Sequence, residues 1–179
     1  MNVYHNVTIN GLVSVNGGIP GGQFRVHAGT LTVANGGNLM INGGTVSVYA
    51  AAGSIVIAAG GQINQSAGSG ASLSALNGGT LRVTSGGTLQ SGGQITVRGP
   101  FIIEPGATCR LGSFPVPGAV VVYSGGTLVG EVTFEAGCDS YVSFYDGGRC
   151  KPSRRERGFG GNILDLSGCY GFDQPNLIG

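Results

Sequence analysis

The sequence predicts an all-β protein: a parallel β-solenoid (β-helix) of about seven short coils with an irregular C-terminal arm. Three observations predict it. Apolar residues recur in short pairs with one residue between them, glycine pairs separate those pairs at near-constant spacing, and the first half is almost free of charge.

From Phe24 onward the pairs are Phe24/Val26, Leu31/Val33, Leu39/Ile41, Val46/Val48 and Ile55/Ile57. Then come Ile63, Leu73, Leu81/Val83, Leu89 and Ile95/Val97, with leading residues 6 to 10 positions apart. Within a pair the period is two, the period of a strand with one face buried. No window before residue 150 keeps the i, i+3, i+4 pattern of a helix. Val3, Val7/Ile9 and Val13/Val15 open the strand pattern without a charged or helical cap.

Gly36-Gly37, Gly43-Gly44, Gly60-Gly61, Gly78-Gly79, Gly86-Gly87, Gly92-Gly93 and Gly125-Gly126 are each followed by Thr, Asn or Gln. Glycine enters positive φ without steric cost, which turns the chain between strands too short for a hairpin. An antiparallel sandwich usually has longer strands with turns every 8–12 residues. Three segments per coil give about 24 residues per turn and, at ~4.8 Å per coil, a rod ~34 Å long. The run Val83-Thr84-Ser85-Gly86-Gly87-Thr88-Leu89, with the other Gly-Gly-Thr copies, resembles the repeats of self-associating autotransporter adhesin passengers. Across residues 20–130 that resemblance implies a right-handed parallel β-helix. The chain departs from the family in showing neither a signal peptide nor a membrane-translocating barrel.

Composition agrees with a packed core. Hydrophobic residues reach 41% and charged residues only 9%, whereas disordered chains are poor in the first and rich in the second. The 37 glycines do not follow the every-third-residue rule of collagen. No apolar run approaches the ~20 residues of a membrane-spanning helix, so membrane insertion is not expected. Met1-Asn2-Val3-Tyr4-His5 lacks a basic segment followed by an apolar one. Synthesis in the cytoplasm is expected, with display on the surface of a particle or filament.

After about residue 100 the pattern loosens, as Pro100, Pro105, Pro115 and Pro117 interrupt it. Val120-Val121-Val122, Leu128, Val132/Phe134 and Val142/Phe144 resume it. The solenoid is assigned to residues 1–150. Residues 151–179 hold a loop, a last strand at 162–166 and the arm carrying Tyr170, Phe172, Leu177 and Ile178.

Residues 1–97 carry only Arg25 and Arg82 as charged side chains. The basic knot Lys151-Pro152-Ser153-Arg154-Arg155-Glu156-Arg157 is local, not spread over a face as in nucleic-acid binders, and reads as a solvated loop. No catalytic site is predicted. The only acidic concentration, Glu131, Glu135, Asp139 and Asp146, fits solvated strand edges, and no Ser/His/Asp group is visible. Gly158-Phe159-Gly160-Gly161 lacks the strand and helix of a phosphate loop. Asn6-Val7-Thr8 and Asn64-Gln65-Ser66 are glycosylation sequons. No cofactor or metal is expected, since His5 and His27 stand alone and no Cys-x-x-Cys occurs. Cys109, Cys138, Cys150 and Cys169 are either buried thiols or disulfide partners, and their spacing does not choose among the three pairings.

The function expected is a self-assembling structural protein: a filament, appendage or virion coat component that partners with itself as homo-oligomer or polymer. Open strand edges template another chain unless charge guards them, and the arm would dock on a neighbouring subunit. The alternative is a carbohydrate- or surface-binding module, adhesin-like or tail-spike-like, with glycan as partner and Tyr123, Phe134, Tyr141, Phe144 and Tyr145 as stacking residues. Ice binding would need repeated Thr-x-Thr, of which Thr30-Leu31-Thr32 is a single copy.

Overall fold

A computed structural model describes residues 1–17, 22–49, 51–66 and 71–112, and beyond them 119–122, 127–129, 132–134, 141–144, 149–151 and 163–164. The described residues form strands joined by corners, with no helix. The first level holds β1 (Asn2–Val3), β2 (Val7–Ile9) and β3 (Leu12–Asn16). The second holds β4 (Gln23–Val26), β5 (Gly29–Val33) and β6 (Asn38–Asn42), and the third β7 (Thr45–Val48), β8 (Gly53–Ile57) and β9 (Gln62–Gln65). The fourth holds β10 (Ser72–Ala75), β11 (Thr80–Val83) and β12 (Thr88–Ser91), and the fifth β13 (Gln94–Val97), β14 (Pro100–Ile103) and β15 (Thr108–Leu111). Then follow β16 (Ala119–Val122), β17 (Thr127–Val129), β18 (Val132–Phe134), β19 (Tyr141–Phe144), β20 (Arg149–Lys151) and β21 (Ile163–Leu164).

Every third strand pairs, giving three seven-stranded sheets. Sheet A runs from β1 to β19, sheet B from β2 to β20 and sheet C from β3 to β21. All pairings are parallel except the last, where β21 runs antiparallel to β18. The strand expected at 162–166 therefore does not continue the coil. It closes the edge of sheet C.

Register stacks like on like. Phe24 lies opposite Val46, Val46 opposite Leu73, and Leu73 opposite Ile95. In sheet B, Leu31, Ile55, Leu81 and Phe101 form one inward column, and each is fully buried. Such columns set one buried apolar side chain on the next, so core and backbone ladder reinforce each other.

Coil length is not constant. Gln23 lies opposite Thr45 and Thr45 opposite Ser72, steps of 22 and 27 residues. The variation sits mostly at the corner from sheet C to sheet A. Two residues join β6 to β7 and β12 to β13, whereas six join β3 to β4 and β9 to β10.

The Gly-Gly signature serves three different corners. At the corner from sheet B to sheet C, Gly36, Gly60 and Gly86 have φ of 77°, 74° and 78°. The amides of Gly37, Gly61 and Gly87 bond back to Ala34, Ala58 and Thr84 at 2.8–2.9 Å. A closed four-residue turn with positive φ at its third residue is a type II turn. The same turn recurs at Glu104-Pro105-Gly106-Ala107, where Gly106 has φ 82°. Pro105 thus occupies the second turn position that proline favours, and Pro100 stands at the first residue of β14, where a strand tolerates it. Neither residue interrupts the coil, in contrast to the expectation from sequence. The corner from sheet A to sheet B differs: Asn77 and Gly78 both have positive φ, 52° and 82°, the signature of a type I′ turn.

At three of these four turns the last residue is glycine as well, and for a different reason. A Cβ on Gly37, Gly61 or Gly87 would strike the carbonyl oxygen of Ile9, Val33 or Ile57 in the preceding coil. Gly86→Ala is expected to cost about 1–2 kcal/mol through its left-handed backbone. Gly87→Ala is expected to cost more, because backbone must move. Leu81→Ala should cost about 2–5 kcal/mol, as for other large-to-small core changes. Urea unfolding followed by circular dichroism ranks the three variants.

Candidate functional site

Six inward columns fill the interior, and among the described side chains two of them carry polar or reactive groups where aliphatic residues would be expected. Ile41, Gln65, Ser91 and Leu111 stack in one column. Gln65 and Ser91 are buried. The Gln65 amide nitrogen donates to the carbonyls of Ala71 (2.8 Å) and Gln94 (3.1 Å). Its oxygen accepts from the Ser91 hydroxyl at 2.8 Å. The Gly93 amide donates to the same hydroxyl at 3.3 Å. This network ties sheet C to the starts of β10 and β13 inside the C-to-A corner. The sequence signal was present: Ile63 and Leu89 are the leading residues of pairs whose second member is not aliphatic.

In the neighbouring column Cys109 follows Leu89. It is a free thiol, 2% exposed, and burial pushes its pKa up to about 12. The thiolate is the reactive form, so burial works against nucleophilic chemistry at Cys109. Cys138 and Cys169 lie outside the described residues, and so do the side chain of Cys150, the acids Glu131, Glu135, Asp139 and Asp146, the basic knot after Lys151, and the arm residues Tyr170, Phe172, Leu177 and Ile178. Of the expected stacking residues, Tyr123 and Tyr145 are also outside them, while register sets Phe134 opposite Leu111 and Phe144 opposite Val122.

The outer faces differ in character. Sheet B carries hydroxyls on its first coils. Thr8 neighbours Thr32, and Thr30 bonds Ser54 at 2.9 Å between their hydroxyls. Val56 and Arg82 then follow Thr32 in its row, so the Thr-x-Thr pattern is not repeated. Sheet C is rich in amides, with Asn42 donating to Asn16 at 3.2 Å and Asn64 to Asn38 at 2.9 Å. Arg82 pairs with Glu104, whose second oxygen accepts the Ser85 amide at 3.1 Å. That backbone bond first, and then the bond from Arg82, lowers the Glu104 pKa.

At the corner leaving sheet A, a column of rings runs down the first three coils. Tyr4, His27 and Tyr49 each follow a buried valine, and those valines are stacked in register. Tyr4 and His27 stack at 4.9 Å between centroids and 10° between planes, and His27 and Tyr49 at 5.5 Å and 22°. The Arg25 guanidinium lies 5.3 Å from the Tyr49 ring centre, within reach of a cation–π contact. The His27 Nε2 is 3.2 Å from the Asn2 side-chain oxygen. Sequence reading missed this group, although Tyr4, His27 and Tyr49 stand 23 and 22 residues apart, one coil each.

Among the described residues no group of three His, Cys, Asp or Glu side chains is placed to hold a metal. No protein-family model, curated protein or solved structure matches this chain.

Two outcomes are expected. Ser91→Ala leaves the buried Gln65 oxygen without its donor and should destabilise by about 1–3 kcal/mol in urea unfolding. Cys109 should resist iodoacetamide at pH 8 in the native protein and react only in denaturant, as read by mass spectrometry of its peptide.

Proposed function

We propose that this chain is a self-assembling structural protein, a filament, appendage or coat component built from packed β-solenoids. One observation carries the reading. The exposed large hydrophobic residues among the described ones, Met1 (66% exposed), Tyr4 (58%) and Leu12 (67%), all lie on the first coil. That coil supplies the outermost strand of each sheet: β1, β2 and β3.

An outermost strand presents backbone donors and acceptors to any further strand, and proteins usually guard such edges with charge, above all lysine. Residues 1–24 contain no charged side chain. Low charge through residue 97 also removes the long-range repulsion that would hold copies apart. Apolar burial then favours contact between copies at about 25 cal/mol per Å².

Sedimentation velocity and electron microscopy of the purified protein at neutral pH are expected to show concentration-dependent polymers. Leu12→Lys, at an exposed position with little to lose in folding, is expected to yield monomers with an unchanged β-rich circular dichroism spectrum. Monodisperse wild-type monomers at high concentration in every salt would sink the proposal.

A further inference from the structure

The ring column at the sheet A corner gathers groups that a structural rod does not need. Arg25 and His27 flank the buried Val26 and so face the same way, outward. Tyr4 and Tyr49 bracket His27, and Asn2 adds an amide beside it. The first 103 residues contain no Asp or Glu, so no acid of these coils neutralises Arg25. Such a cluster has an excess of donors and positive charge and no anion of its own.

We propose that this column binds an acidic polysaccharide, a chain bearing carboxylate or sulfate groups, laid along the solenoid axis. Arg25 would hold the anionic group through its planar fork of donors. The tyrosine hydroxyls and the Asn2 amide would meet sugar hydroxyls, and the exposed Tyr4 ring would cover an apolar sugar face at the end of the column. The repeat fits as well. Successive rings lie 4.9 and 5.5 Å apart, close to the length of one pyranose residue, so successive sugars meet successive coils.

The same features argue against single-stranded nucleic acid. Base binding needs open ring faces, and here His27 occupies one face of each tyrosine while Arg25 lies over the Tyr49 ring. Phosphate on every nucleotide also calls for several Lys or Arg contacts, and these three coils supply one. The inference shares Tyr4 and Asn2 of the first coil with the edge proposed for self-assembly, whereas Arg25 and Tyr49 lie on the second and third coils, so Arg25→Gln separates the two readings.

Isothermal titration of the full-length protein with oligogalacturonate, its methyl ester, a sulfated glycan and a single-stranded oligonucleotide tests it. Binding of at least one acidic glycan is expected, with little binding of the ester or the oligonucleotide. Arg25→Gln and, separately, Tyr4→Ala should each weaken that binding about tenfold. Their urea midpoints should match wild type, and the Leu12→Lys protein should bind like wild type whatever its assembly state. The proposal is overturned if neither acidic glycan binds, if the ester or the oligonucleotide binds as well, or if both variants with wild-type stability bind undiminished.

Discussion

The hydrogen-bonded ladder between successive coils is the constraint from which the rest follows. A strand of three to five residues has no partner within its own coil, so its amides and carbonyls are satisfied only by the coils before and after. The corners obey the same rule. The Gly36 amide donates to Gly60, Gly60 to Gly86 and Gly86 to Gly106, at 2.9–3.2 Å. A coil therefore cannot slip against its neighbour without breaking bonds in three strands and a corner together. It also cannot shift by one residue, because that would turn every inward side chain outward.

Locked register explains what the interior tolerates. A polar residue in an inward position is held at a fixed place in its column, and its partners are fixed with it. Gln65 is acceptable because two carbonyls and the Ser91 hydroxyl always meet it. Gly93 matters to the same network, since a Cβ there would crowd the Gln65 amide nitrogen. Isolated in an aliphatic core such an amide would cost several kcal/mol. In the column it ties sheet C to Ala71 and Gln94, at the starts of β10 and β13.

How much of this was legible in the sequence varies with the physics involved. The strands and the inward rows were, because the alternation at Phe24/Val26, Leu39/Ile41 and Leu81/Val83 is a direct imprint of the pleat. The spacing of about eight residues was compatible with three strands per coil but did not require it, and the pairing of every third strand is what establishes it. The corner conformations did not, since the same Gly-Gly pair makes a type II turn at Gly86 but stands behind a positive-φ asparagine at Gly78. Proline was misread for a related reason: Pro105 suits the turn position that Ala59 and Ser85 occupy in other coils. The ring column was hidden because its members are a coil apart, and only the exact register, with steps of 23 and 22 residues, brings them together.

Uneven coils also separate the roles of the molecule. A solenoid in which every coil is identical offers the same surface along its whole length and an equal tendency to stack at every face. Here the irregularity gathers at the C-to-A corner, where linkers of six residues alternate with linkers of two over the first four coils. The strands themselves stay in register through each change, as Thr45, Ser72 and Gln94 remain opposite one another despite the differing linkers. Length variation is therefore absorbed mostly at one corner, with a smaller range, linkers of two to four residues, between sheets A and B, and the ladder is not disturbed. The hydroxyl-bearing first coils of sheet B, the amides of sheet C and the Tyr–His–Tyr column are three variations in chemistry on one backbone. Each depends on the ladder for its spacing, and none is required by it.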